Sequence, residues 1–147
     1  MWDKNFRIAV FSLLYEILFT GISSDDFNLK SDTNKFKNQV LGLNEVFNGL
    51  DLDIIFIQIR IFFEKQDLFE EKIKASIKTW DKTFVTVKAC LFTFCLEIED
   101  NSLVSSADNK IVNSYLRLSQ DYLGEENVSL VHANILKILG RTKVESA

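Results

Sequence analysis

No proline interrupts this chain of 147 residues, and its apolar residues recur at helical spacing through most of its length. Proline is the strongest local breaker of a helix, so its absence leaves long periodic segments free to run as helices. The pattern is clearest at residues 110–139, KIVNSYLRLSQDYLGEENVSLVHANILKIL. Ile111, Tyr115, Leu118 and Tyr122 follow i, i+4, i+7 and i+11 and fall on one face. After a hinge at Gly124 and the acidic turn Glu125-Glu126-Asn127, a second stripe runs Val128, Val131, Ile135, Leu139. Acidic and capping residues stand where a helix N-terminus favours them. The segment predicts two packed amphipathic helices.

The rest of the chain divides in the same manner. A first helix is expected from about Asp3 to Thr20, with Phe11, Leu14, Leu18 and Ile22 as a stripe and Gly21 as its end. A second begins at Asp32 or Thr33, faces Phe36, Val40, Leu43 and Phe47 inward, and closes near Gly49. Asp51 or Asp53 caps a long third segment carrying Ile54, Ile57, Ile61, Leu68, Ile73 and Ile77. Residues 54–63 are β-branched and aromatic enough to suggest a strand. The charged helical continuation over 64–78 decides for helix, with a break expected near Gln66-Asp67. Trp80-Asp81-Lys82 marks a joint. A helix over residues 83–99 follows, with Phe84, Val87, Leu91, Phe94 and Ile98 inward, then a polar loop over 100–108. With 47% apolar residues and thirteen Phe, a core is available. The expected fold is all-α: a compact bundle of about six to seven helices, one domain over 1–147 made of two packed subdomains, 1–79 and 80–147.

Charge and chemistry narrow the function classes. A net charge of −4 excludes a strongly basic nucleic-acid binder but leaves room for a local basic patch. Lys30, Lys35 and Lys37 form one such grouping, and Lys74, Lys78 and Lys82 form a ridge if the helix continues through Trp80. Each ridge alone reads as a solvated face. Lys4 and Arg7 before the apolar run to Ile22 imitate a signal peptide, but Asp3 and Glu16 spoil the pattern and the run is too short and charged for a membrane span. The expectation is a cytoplasmic protein with no membrane association. Cys90 and Cys95 stand about 140° apart on one helix, which disfavours a mutual bridge and suggests buried reduced thiols. His132 is the sole histidine. No multi-histidine metal site, glycine-rich phosphate loop or CxxC is present, so neither catalysis, a metal nor a cofactor is expected.

Several segments in order resemble the NusB family of bacterial transcription antitermination factors. Residues 7–15, RIAVFSLLY, resemble that family's arginine-led opening helix with its Leu-Tyr pair. Trp80, then Val87-Lys88-Ala89-Cys90-Leu91 and Glu97, resemble its Trp followed by "vdrAiLRlavyEl". Residues 112–119, VNSYLRLS, are similar to "INEAVELA", and Gly124-Glu125-Glu126 with Ile135-Leu136 resemble the closing element. Phe92 stands in place of the arginine of the "LR" pair and Ser114 in place of the glutamate of "INEA". Val131-His132-Ala133-Asn134 stands in place of "FVNG".

The resemblance implies an all-helical, non-enzymatic RNA-binding factor. It would bind boxA-type RNA together with the ribosomal protein NusE, as part of a transcription complex that reads through terminators in ribosomal RNA operons. It further implies Lys4, Arg7, Tyr15 and Asn127 as RNA-binding residues and Val131 as a partner-binding residue, in a monomer or weak homodimer. Two alternatives remain. One is a helical protein-interaction scaffold with a degraded RNA site. The other is a detached RNA-binding domain like those fronting ribosomal RNA methyltransferases, since these residues contain neither a cofactor-binding βαβ unit nor a catalytic Cys motif.

Overall fold

In a computed structural model, the described residues are 2–23, 25–27, 49–75, 77, 80–101 and 109–140. They form five α-helices and no strand: α1 Lys4–Thr20, α2 Leu52–Lys74, α3 Val85–Asn101, α4 Asn109–Tyr122 and α5 Val128–Ile138. Short 3₁₀ turns at Trp80–Lys82 and Glu125–Asn127 precede α3 and α5. The helix expected from Asp32 or Thr33 to Gly49 lies almost entirely outside the described residues, as do Lys30, Lys35, Lys37 and Lys78.

Local chemistry sets the helix ends. Asp3 caps α1, its Oδ1 accepting from the Phe6 N–H at 2.8 Å, and such a cap contributes about 1 kcal/mol. Gly21 closes the helix in the left-handed region at φ 72°, where its amide donates to the Ile17 carbonyl. Asp51 caps α2 through a bond from the Asp53 N–H at 2.9 Å.

The centre of the molecule is α3. Residues 89–98 are buried without exception, and α1, α2, α4 and α5 all pack against it. A helix apolar on every side has no solvent face to present, and this one is surrounded. Thr93, the polar residue at mid-helix, satisfies its hydroxyl internally by donating to the Ala89 carbonyl at 2.7 Å. Helix α1 is nearly as enclosed, with Phe6, Ile8 to Leu14 and Ile17 buried. Its apolar run lies in the core. The two helices run antiparallel: Trp2 Nε1 donates to Asp100 Oδ2 at 2.7 Å, and Arg7 meets Glu97 one turn in.

Edge-to-face aromatics knit α2 to α3. Phe62 meets Phe92 at 5.1 Å, and Trp80 meets the same ring at 5.9 Å. Trp80 Nε1 donates to Glu70 Oε1 at 3.0 Å, with the Lys88 ammonium 4.5 Å from the indole centroid. One contiguous core draws on all five helices.

Three details differ from the sequence expectations. Helix α2 passes through Gln66 and Asp67 without a break. It ends at Lys74, so Lys74 and Lys82 do not share a helical ridge; Lys74 pairs instead with Glu70 at 3.1 Å. Phe84 precedes α3 and is 67% exposed rather than inward. Along α2 the buried line is Ile55, Ile59, Phe62, Phe69 and Ile73, while Ile57 and Leu68 face outward. Residues 54–63 are so uniformly apolar that periodicity alone does not fix which face is buried. None of the described helices is long and apolar enough to cross a membrane.

Candidate nucleic-acid interface

The N-terminal turn of α1 and the outer face of α4 enclose a cleft of about 140 Å³, lined by Lys4, Arg7, Ile8, Ser114, Arg117, Leu118, Asp121 and Tyr122. Lys4 and Arg7 reach it together because they lie three apart, on one side of α1. From α4, Ser114, Arg117 and Asp121 arrive at i, i+3 and i+7, beside the apolar stripe that holds the helix to the core. Lys4, Arg117 and Asp121 are exposed, and among the described residues none of them has an ion-pair partner within 4.0 Å.

Arg7 is different. Its Nε and Nη2 donate to the two carboxylate oxygens of Glu97 at 2.7 and 2.9 Å, a bidentate pair. The Glu97 side chain is 2% exposed and that of Arg7 13%. Tyr115, fully buried on α4, donates its hydroxyl to Glu97 Oε1 at 2.8 Å. Its ring stacks edge-on to Phe94 at 5.2 Å. Burial works against the guanidinium charge, but the hydrogen bonds and charge of Glu97 outweigh it and the Arg7 pKa is raised. The Tyr115 hydroxyl is held well above the usual phenol range, first by burial and then by the neighbouring carboxylate. Arg7 therefore enters the cleft as a fixed cation anchored from behind.

Aromatic rings continue the face. Phe11 lies 5.9 Å from Tyr122, and Tyr15 stacks on Phe19 at 5.8 Å with an interplanar angle of 18°. Tyr122 is 46% exposed and Phe19 68%, so two rings present faces to solvent along the α1 surface leading from the cleft. Sequence spacing assigns Tyr122 to the inner stripe; it sits at the end of α4, where the stripe runs off the core.

The remaining residues implied by the resemblance fall elsewhere. Asn127 is half-buried, and its Nδ2 donates to the Leu123 carbonyl at 2.7 Å, which ties the turn to the end of α4. Val131 has none of its surface exposed, so it packs the core and offers no contact to a partner. Its neighbour Leu130 is the apolar residue that α5 exposes. His132 is half-buried. Cys90 and Cys95 are free and buried, and burial pushes each thiol up to about 12, which removes the thiolate that nucleophilic chemistry needs. Among the described residues no cluster of three His, Cys, Asp or Glu could hold a metal ion.

Sequence reading did not single out Arg117, Phe19 or the anchoring role of Tyr115. The Ser114, Arg117, Asp121 stripe was legible as a polar helix face. What was missing is that this face borders the α1 N-terminus, which only the packing of α4 decides. Comparisons with protein-family models, with curated proteins and with solved structures find no match to this chain.

Proposed function

We propose that the chain is a NusB-like, non-enzymatic RNA-binding transcription antitermination factor. On this reading it acts in the cytoplasm with the ribosomal protein NusE on boxA-type RNA. The architecture would then be that of the family, two packed subdomains over 1–79 and 80–147 with six to seven helices. The supporting observation is the convergence of Lys4 and Arg7 with Arg117 on one open cleft, continued by the exposed rings of Tyr122 and Phe19. Cations that track a backbone beside rings that stack bases are what single-stranded RNA requires. Local potential, not the net charge of −4, governs such binding. Tyr15 contributes through its stack on Phe19 and Asn127 by shaping the turn; Val131 takes no part.

The test is a titration of boxA RNA with and without NusE at several salt concentrations. Salt-sensitive binding strengthened by NusE is expected. Absence of binding at low salt in both arms rejects the proposal. The commitment of Arg7 to Glu97 favours one competing reading, a helical scaffold that docks a protein partner without RNA. Lys4→Ala with Arg117→Ala separates the two, because only the first reading predicts lost RNA affinity with partner binding intact.

A further inference from the structure

We propose that an open groove between residues 25–27, which follow α1, and one face of α2 binds a small zwitterion with an apolar side chain, that is, a free α-amino acid such as phenylalanine. The groove shares no lining residue with the cleft between α1 and α4, and the proposal is independent of the RNA reading above. Its volume is about 450 Å³, within the range of small-molecule sites.

The lining follows from helical spacing. Phe56 and Phe63 stand seven apart on α2 and border the same groove, with the buried Ile59 lining it between them. Phe27 adds a third ring, 5.9 Å from that of Phe63. All three rings are half-buried, so the groove holds apolar surface against water that a fitting side chain would displace. The charges at its rim carry the argument. Arg60, Glu64 and Asp25 are exposed and line the same groove. Arg60 and Glu64 stand four apart, where helix neighbours can pair, but with the cation first, the weaker order. They form no ion pair within 4.0 Å, and the Arg60 guanidinium lies over the Phe56 ring instead, 5.6 Å from its centroid. Asp25 likewise has no ion-pair partner among the described residues. One cation and two carboxylates therefore border a single aromatic groove without neutralising one another. A ligand of one sign would meet at least one like charge there, and an uncharged ligand would use none of them. An amino acid offers a carboxylate to Arg60, an ammonium to Glu64 and Asp25, and an apolar side chain to the rings.

Titration of the isotope-labelled full chain at constant ionic strength tests this with three probes. These are L-phenylalanine, phenethylamine, which keeps only the ammonium, and hydrocinnamate, which keeps only the carboxylate. L-Phenylalanine is expected to shift the amides of residues 25–27 and 56–64 and to bind several-fold more tightly than either analogue. Arg60→Ala should bring L-phenylalanine down to the affinity of phenethylamine and leave phenethylamine itself no weaker. Glu64→Gln with Asp25→Asn should do the converse, bringing L-phenylalanine down to hydrocinnamate and leaving hydrocinnamate no weaker. All three substituted positions are exposed, and loss of folding would not reproduce this crossed pattern. Equal affinity for the three probes, no shift at these amides, or L-phenylalanine binding that neither variant changes overturns the proposal. Binding of a peptide with an internal phenylalanine where the free amino acid fails assigns the groove to a protein segment and also overturns it. The affinity for boxA RNA should be the same in parent and variants. An RNA affinity that falls with Arg60→Ala would give the groove to RNA and sink the amino-acid site, whereas amino-acid binding without RNA binding leaves this site standing and removes the RNA reading.

Discussion

The buried pair of Arg7 and Glu97 makes a quantitative prediction about stability. Both groups leave water, one almost completely, and the attraction between them offsets that loss only while both are present. Glu97→Gln keeps the volume and can still accept from Arg7 Nε, but it strands a guanidinium that retains about an eighth of its exposure. Arg7→Met strands a carboxylate that keeps its bond from Tyr115. Breaking a buried pair from one side costs about 3–5 kcal/mol. The partial exposure of Arg7 puts Glu97→Gln near the lower end, at about 3 kcal/mol, and Arg7→Met higher. Domains of this size have about 5–15 kcal/mol in total, so either change removes a large part of it.

The double variant should be far more stable than the sum of the singles, since no charge remains stranded. A coupling of about 2 kcal/mol or more is expected. Urea unfolding followed by far-ultraviolet circular dichroism and by tryptophan fluorescence provides the four free energies, and coincident transitions license the two-state treatment. The matched control is Lys65 with Glu99, where each side chain is more than a third exposed. Its cycle should show a coupling within roughly 0.5 kcal/mol. Additive losses at Arg7 and Glu97, with coupling no larger than in the control, would refute the reasoning from desolvation.

The other expected outcomes concern the core, a turn and pH. Phe62 is fully buried against Phe92, so Phe62→Ala should cost about 3–5 kcal/mol by urea unfolding. Gly124 sits at φ 92° and ψ 148°, a region closed to other residues, and a Cβ there would come within 2.8 Å of the Glu126 carboxylate. Gly124→Ala should therefore lower stability by about 1–3 kcal/mol, with the backbone rather than the movable Glu126 side chain as the main cause. Alkaline titration should destabilise the fold. Cys90 and Cys95 have folded pKa values raised from 9.0 to about 12, so their stabilising effect is complete below about 9 and is lost as pH rises toward 12. At pH 10 the loss is on the order of 1 kcal/mol for each thiol, and Tyr115 acts in the same direction. A Cys90→Ala, Cys95→Ala protein should show a visibly shallower decline between pH 8 and 10; an unchanged slope contradicts the assignment.

Most of the architecture was legible because helix ends are written locally. Asp3, Gly21, Asp51 and Gly124 each act within a few residues of themselves; Gly21 and Gly124 stand where the sequence places them, and of the two candidates Asp51 and Asp53 it is Asp51 that caps α2. What stayed illegible depends on neighbours far along the chain. In α2 nearly every position over 54–63 is apolar, and only packing against its neighbours, α1 and α3 above all, decides that Ile55 and Ile59 are inside and Ile57 outside. Phe84 and Tyr122 look like core residues by spacing and are exposed because each stands at a helix end, past the last packed turn. At the candidate site, Lys4 and Arg7 were named only by the resemblance of the opening segment. Arg117 was not, because it lies 110 residues from Arg7 and meets the same cleft only through the packing of α4.

Arg7 joins the two halves of the problem, and that decides which experiments separate them. A substitution at Arg7 removes a cation from the cleft lining and at the same time breaks the buried pair with Glu97. Lost RNA affinity in such a variant would follow from either effect. Lys4 and Arg117 are exposed and unpaired among the described residues, so their removal should alter binding while leaving stability within roughly 0.5 kcal/mol. Tyr115→Phe lies between, since it keeps the ring against Phe94 and deletes only the hydroxyl that holds Glu97. If RNA binding follows Lys4 and Arg117, with stability unmoved, the cleft is where RNA is held. If it follows only Arg7 and Glu97, in step with unfolding, the pair belongs to the fold alone.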